Sequence, residues 1–310
     1  MPAHAPPLPW RTAVRMTRPG FLVITGVACL LGFATVWATA PSQWNGPLAL
    51  LTVLLALLAH AAANVLNDYH DALNGADAAN QTGLFPFTGG ARLIQNGEVT
   101  PQTTRRLAWG LLALVVPAGA LLAWHSGSGL LLIGGAGLLL GWAYSAPPLA
   151  LMSRGLGECT VALTWWLVVI GADHALRGQW AALPAWVALS LAGLIANILL
   201  INGFPDATSD AAVGNRTLAV RLGPGLGSVV YLGVALGAHA WLVIAVLGLH
   251  LPPGCLWGWL SLPLSLNAAR LLHRDAARPA ALRPAIVQTI AAAAVHGVAL
   301  ATGLALGSVG

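Results

Sequence analysis

The chain has 310 residues, of which 57% are hydrophobic and only 7% charged, against about 25% charged in an ordinary soluble domain; that balance argues against a soluble enzyme. Fourteen basic residues, every one an arginine, and nine acidic ones leave a net charge of +5. The charge suits an anionic ligand or an anionic membrane surface, and it lacks the dense basic stripes of a nucleic-acid binder, so no nucleic-acid partner is expected.

A membrane span needs about 20 mostly apolar residues, and nine windows meet this along the chain, at about 20–40, 47–66, 106–124, 129–147, 157–176, 184–204, 227–248, 252–272 and 285–306. The fold expected is an all-α integral membrane protein, a single bundle of about nine transmembrane helices. Arginines gather on the cytoplasmic side of a membrane. With a cytoplasmic N-terminus, nine spans put every arginine inside except Arg177, and every acid inside except Asp173. The outer connections are short and nearly uncharged, whereas the inner stretches 67–105 and 205–226 are long and polar. Chemistry is therefore expected on the cytoplasmic face of a multi-pass protein, in a bacterial inner membrane.

The second window runs into Asn64-Val65-Leu66-Asn67-Asp68-Tyr69-His70-Asp71, followed by Gly75 and Asp77. On a continuing helix Asn64, Asp68 and Asp71 share an arc of roughly 60°. The sixth window ends in Asn202-Gly203-Phe204-Pro205-Asp206-Ala207-Thr208-Ser209-Asp210, where Asn202, Asp206 and Asp210 repeat the spacing of four and Pro205 threatens to kink or end the helix. Each stretch closes the second helix of a four-helix set. The expected domain is thus one unit over 1–310, with related halves at about 18–150 and about 155–275 and an appended helix at about 285–306. Paired carboxylate clusters bind hard divalent cations through oxygen, and magnesium commonly bridges such clusters to phosphates. The implied ligand is a diphosphate.

These motifs resemble the UbiA family of intramembrane aromatic prenyltransferases, over almost the whole chain. The likeness is sharpest in Asn67-Asp68-Tyr69-His70-Asp71, in Asp206-Ala207-Thr208-Ser209-Asp210 and in Gly214-Asn215-Arg216-Thr217. Where the general pattern has an aspartate four residues after Asp71, this chain has Gly75 and then Asp77, which resembles the 1,4-dihydroxy-2-naphthoate polyprenyltransferase branch; Thr88-Gly89-Gly90-Ala91-Arg92, Tyr144-Ser145-Ala146-Pro147-Pro148 and Arg154-Gly155-Leu156-Gly157-Glu158 agree. Asn215 stands where many relatives have lysine.

The resemblance implies Mg-dependent transfer of a polyprenyl group from its diphosphate to an aromatic acceptor, with decarboxylation. Asp68, Asp71, Asp206 and Asp210 are then the catalytic carboxylates. With Asn64 and Asn202 they would hold two magnesium ions bridging the diphosphate. Asn64, Asn67, Asn202, Arg18, Arg92, Arg216 and Tyr144 would contact substrate, Tyr144 along the path of the prenyl cation. The competing readings are a relative acting on 4-hydroxybenzoate, homogentisate, or a haem or chlorophyll precursor, and, from another class, a secondary transporter, which would place its ionisable groups near the bilayer midplane. His60, His239 and His296 are read as packed and hydrogen-bonded, His70 as directed away from the acids beside it, and Cys29, Cys159 and Cys255 as small buried hydrophobes.

Overall fold

A computed structural model describes residues 8–80 and 83–307. Among them there is no strand. A short helix, α1 (Trp10–Met16), precedes α2 (Pro19–Thr39), α3 (Gly46–Asn74) and a single turn, α4 (Ala76–Ala79). The chain continues through α5 (Pro101–Ser126), α6 (Gly129–Ser145), α7 (Gly157–Arg177), α8 (Ala182–Ala212), α9 (Leu218–Gly248), α10 (Leu262–Asp275) and α11 (Arg283–Gly307). Caps fix several starts: the Asn45 side chain accepts from Leu48 N at 3.0 Å, and Thr100 Oγ1 accepts from Thr103 N at 3.1 Å, each satisfying one of the free amides of a first turn.

Seven helices, α2, α3, α5, α7, α8, α9 and α11, are long and apolar enough to cross a membrane. The protein is accordingly a multi-pass membrane protein. The other two windows hold something different. The fourth is α6, a 17-residue apolar helix. The eighth, expected as one span at 252–272, begins as a 3-10 helix over Pro253–Ser261 and becomes α-helical only in α10. Close packing accompanies this tight segment: a methyl group added to Gly254 would lie 2.0 Å from the carbonyl oxygen of Gly303 on α11, so the two backbones touch as small residues allow.

The main core is built by α2, α7, α8, α9 and α11 around Leu31, Leu191, Leu194, Leu242, Leu300 and Leu304. The helices α3, α5 and α6 instead turn Leu50, Leu54, Leu114, Leu121, Leu131 and Leu132 outward, as suits helices bathed in lipid. The two charges that sequence assigned to the outer side satisfy each other. Arg177 donates to Asp173 at 2.7 and 2.8 Å, Thr35 Oγ1 donates to the same carboxylate at 2.7 Å, and Arg177 also reaches Thr39 Oγ1 at 2.9 Å. Cys29 and Cys255 are buried, but Cys159 is exposed, contrary to the expectation for all three.

Candidate active site

Helix α3 runs without interruption through the first acidic stretch to Asn74. It ends there because Gly75 adopts a left-handed conformation, φ 83°, which a side chain would resist. Asn64, Asp68 and Asp71 therefore do share a face. Asp77 falls beyond the cap, on α4, and turns back into the site, 5% exposed. Helix α8 likewise runs through Pro205, neither ending nor breaking there, and carries Asn202, Asp206 and Asp210 on consecutive turns.

The first acidic end is compensated by a cation. Arg18, with φ 51° just before Pro19 of α2, donates to Asp68 Oδ1. Asn67 donates to Asp71, and the Asn64 amide donates to Thr17 O at 2.9 Å, its oxygen taking no hydrogen bond among the described residues. Burial works against the charge on Arg18, yet the neighbouring carboxylates of Asp68, Asp77 and Asp71 outweigh it and hold the guanidinium above its ordinary value. Burial pushes the Asp77 carboxyl up to about 7, opposed by Arg18 and Arg92 and reinforced by Asp68 and Asp206. Asp77 thus lies between the two motifs rather than at the tail of the first.

The second end is compensated by neutral donors. Asp206 accepts from Asn80 Nδ2 at 2.6 Å and from Gly89 N at 3.1 Å. Asp210 accepts from the buried Asn215 Nδ2 at 3.2 Å. Asn215, the departure from the lysine of many relatives, is here a carboxylate holder.

One loop joins the two ends. Gly89 N bonds Asp206 while Ala91 N bonds Asp68 Oδ2 at 3.3 Å. Between them Gly90, at φ 75°, passes so close to Asp77 that a methyl group there would sit 2.7 Å from its Oδ2. Arg92, expected at the substrate, braces this loop: its guanidinium donates to Asp77 O at 2.7 Å and Asn80 O at 2.5 Å and stacks 4.8 Å from the Phe85 ring centroid. Among the described residues Arg18 and Arg92 are two of the four non-glycine residues with positive φ, a costly conformation that clusters where local structure is over-determined for function. Arg216 is exposed, and its backbone is tied to Ser153 O at 2.9 Å. Tyr144 lies in the last turn of α6. Gly89 and Ala91 belong to a stretch the sequence singled out without a role for either, whereas Asn80 was not singled out; its one trace there is a spacing of three from Asp77.

Among the described residues no three acidic, histidine or cysteine side chains are grouped so as to hold a metal ion by themselves. The donor set nevertheless fits a hard divalent cation completed by ligand oxygens: it is all carboxylate and amide oxygen, and Asn202 Oδ1 is buried with no hydrogen-bond partner.

The family model described as the UbiA prenyltransferase family matches residues 25–306. The chain belongs to the UbiA family. This member is 31% identical over 306 residues to the 1,4-dihydroxy-2-naphthoate octaprenyltransferase of Escherichia coli (strain K12), with 93% of each chain covered. Its fold is similar to that of a UbiA homolog from Aeropyrum pernix K1 (TM-score 0.68, 16% identity, 91% of this chain and 97% of that one). It is also similar to a UbiA homolog from Archaeoglobus fulgidus bound to DMAPP and Mg2+ (TM-score 0.57, 16% identity, 93% and 98%). As a UbiA enzyme the protein is an aromatic prenyltransferase, a transferase of alkyl groups, and not the transporter that composition alone allowed.

Proposed function

We propose that this UbiA enzyme transfers a polyprenyl group from polyprenyl diphosphate to 1,4-dihydroxy-2-naphthoate, with loss of the acceptor's carboxylate as carbon dioxide, in menaquinone biosynthesis. The observation that carries the diphosphate half is the loop shared by both acidic ends, with Asp68 on Ala91 N and Asp206 on Gly89 N. The acceptor half is supported by the name and coverage of the E. coli relative and by the Gly75–Asp77 pattern of the first motif. The chain acts as one domain of two four-helix halves and a last helix, in a bacterial inner membrane, with its N-terminus and site facing the cytoplasm.

Asp68, Asp71, Asp206 and Asp210, with the amide oxygens of Asn64 and Asn202, would hold two magnesium ions against the diphosphate. Magnesium so bound supplies positive charge that neutralises phosphate oxygens and eases departure of the diphosphate. Arg18 is already placed at the first end, and its buried Nε has no partner, so it can donate to a phosphate oxygen. Asn67 orients Asp71. Arg216, exposed, guides the anion inward. Tyr144 presents an aromatic face to the allylic cation that remains, and the surrounding apolar helices keep water from capturing it before the electron-rich aromatic carbon attacks.

The test is a product assay on membranes holding the full chain, with a polyprenyl diphosphate and either 1,4-dihydroxy-2-naphthoate or 4-hydroxybenzoate, with magnesium or a chelator, read by mass spectrometry. A decarboxylated prenyl-naphthoquinol formed only with magnesium is expected. Prenylation of 4-hydroxybenzoate in preference to the naphthoate would overturn the acceptor.

A further inference from the structure

One helical turn before Asn64, still on the site face of α3, lies His60. His60, Asn64, Asp68 and Asp71 span an arc of about 80°. His60 sits about 6 Å deeper into the membrane layer than Asn64 and about 12 Å deeper than Asp68, at 1.5 Å per residue. Three helices meet there. The fully buried Thr25 of α2 is hydrogen-bonded through Oγ1 to His60 Nδ1 at 2.8 Å. Trp165 of α7 meets the imidazole edge to face, ring centroids 5.0 Å apart at 88°.

Two polar groups in this apolar layer are left over. His60 Nε2 has no hydrogen bond among the described residues, and Trp165 Nε1–H is buried with no acceptor. The buried indole N–H costs free energy while unpaired, and the half-buried imidazole keeps its Nε2 open to a partner. Two buried histidines of the main core, His296 and His239, contrast with His60. His296 uses both nitrogens, on Ser261 and Ser190 at 3.0 Å, and His239 uses both, on Ala235 O and Ser261. They are packed and complete, whereas His60 is tethered on one side and open on the other. A polyprenyl chain cannot satisfy either group. A hydroxylated aromatic acid can do both, with a ring hydroxyl on His60 Nε2, an oxygen accepting from Trp165 Nε1, and its ring against the indole.

From this pairing we infer that His60, held by Thr25 and flanked by Trp165, binds the oxygens of the aromatic acceptor and orients its ring below the diphosphate site. The inference rests on the proposed acceptor reaction and deepens it. His60 acts as an acceptor-binding residue and takes no part in holding the diphosphate.

The experiment is equilibrium binding to the full-length protein in lipid nanodiscs, measured separately for 1,4-dihydroxy-2-naphthoate under anaerobic conditions and for geranyl diphosphate with magnesium, so that no turnover is needed. His60→Leu is expected to weaken naphthoate binding about tenfold, the loss of one good hydrogen bond to a polar ligand, and to leave geranyl diphosphate binding unchanged. His60→Gln should recover part of the naphthoate affinity, and the near-isosteric Thr25→Val, which frees the tether, should lose about threefold in the same direction. Unchanged naphthoate binding in His60→Leu overturns the inference, as does an equal loss for both ligands, which marks a structural residue. Wild-type protein that binds geranyl diphosphate but no hydroxylated aromatic acid overturns the acceptor reading itself, and the role of His60 with it.

Discussion

The two acidic helix ends carry the same Asn-x-x-x-Asp spacing and are held in opposite ways. At the end of α3 a cation does the holding: Arg18 pairs with Asp68, and the helix is cut off at Gly75 so that Asp77 swings back between the motifs. At the end of α8 neutral amides do it, Asn80 and Gly89 N on Asp206 and Asn215 on Asp210, and the helix runs on through its proline. Like sequence patterns therefore do not imply like electrostatics. The first end carries a side-chain counter-charge and the second is held by neutral donors, so the pair is asymmetric before substrate arrives.

The largest expected effect breaks both ends alike. Asp68→Asn and Asp206→Asn should each abolish transferase turnover in protein that remains folded; near wild-type turnover in either would remove that acid from the site. Next in size is the difference in how the ends are held. Arg18→Ala leaves Asp68 buried without its partner, a loss on the order of 3–5 kcal/mol, whereas Asn80→Ala removes a hydrogen bond to Asp206 at about 1–2 kcal/mol. Thermal unfolding of the full chain without magnesium should rank Arg18→Ala well below Asn80→Ala, and equal losses would erase the contrast.

The smallest effect is in pH. The Asp77 carboxyl, raised by burial to about 7 from an ordinary 3.8, binds its proton more tightly in the folded chain than in the unfolded one. Its contribution to stability is fully present below the ordinary carboxylate value and is lost as pH rises through about 7. Magnesium-free protein should therefore become easier to melt across that window, and less steeply so in Asp77→Asn; parallel profiles for the two would place the effect elsewhere.

The helices and the acids were legible in sequence because they depend on local pattern. Apolar runs of span length gave the windows, and i, i+4 spacing put Asn64 with Asp68 and Asn202 with Asp206. What was not legible depends on long-range closure. Asn80 meets Asp206 across 126 residues, and the loop that carries Arg92 turns that arginine onto backbone carbonyls rather than outward. Hydropathy likewise cannot distinguish an α-helix from the 3-10 helix over Pro253–Ser261, which is drawn against α11 by the contact of Gly254 with Gly303. The role of Asn215 was hidden for the same reason, since a missing lysine reads as a lost contact until its amide is seen on Asp210.

The central claim is that two differently held acidic ends grip one diphosphate together. It is tested most directly by equilibrium binding of geranyl diphosphate to the full-length protein in nanodiscs, with magnesium or a chelator, in wild type and in Asp68→Asn and Asp206→Asn. Magnesium-dependent binding in wild type that is lost in both variants is the predicted result. Wild-type affinity retained in either variant, or binding indifferent to the chelator, would contradict it.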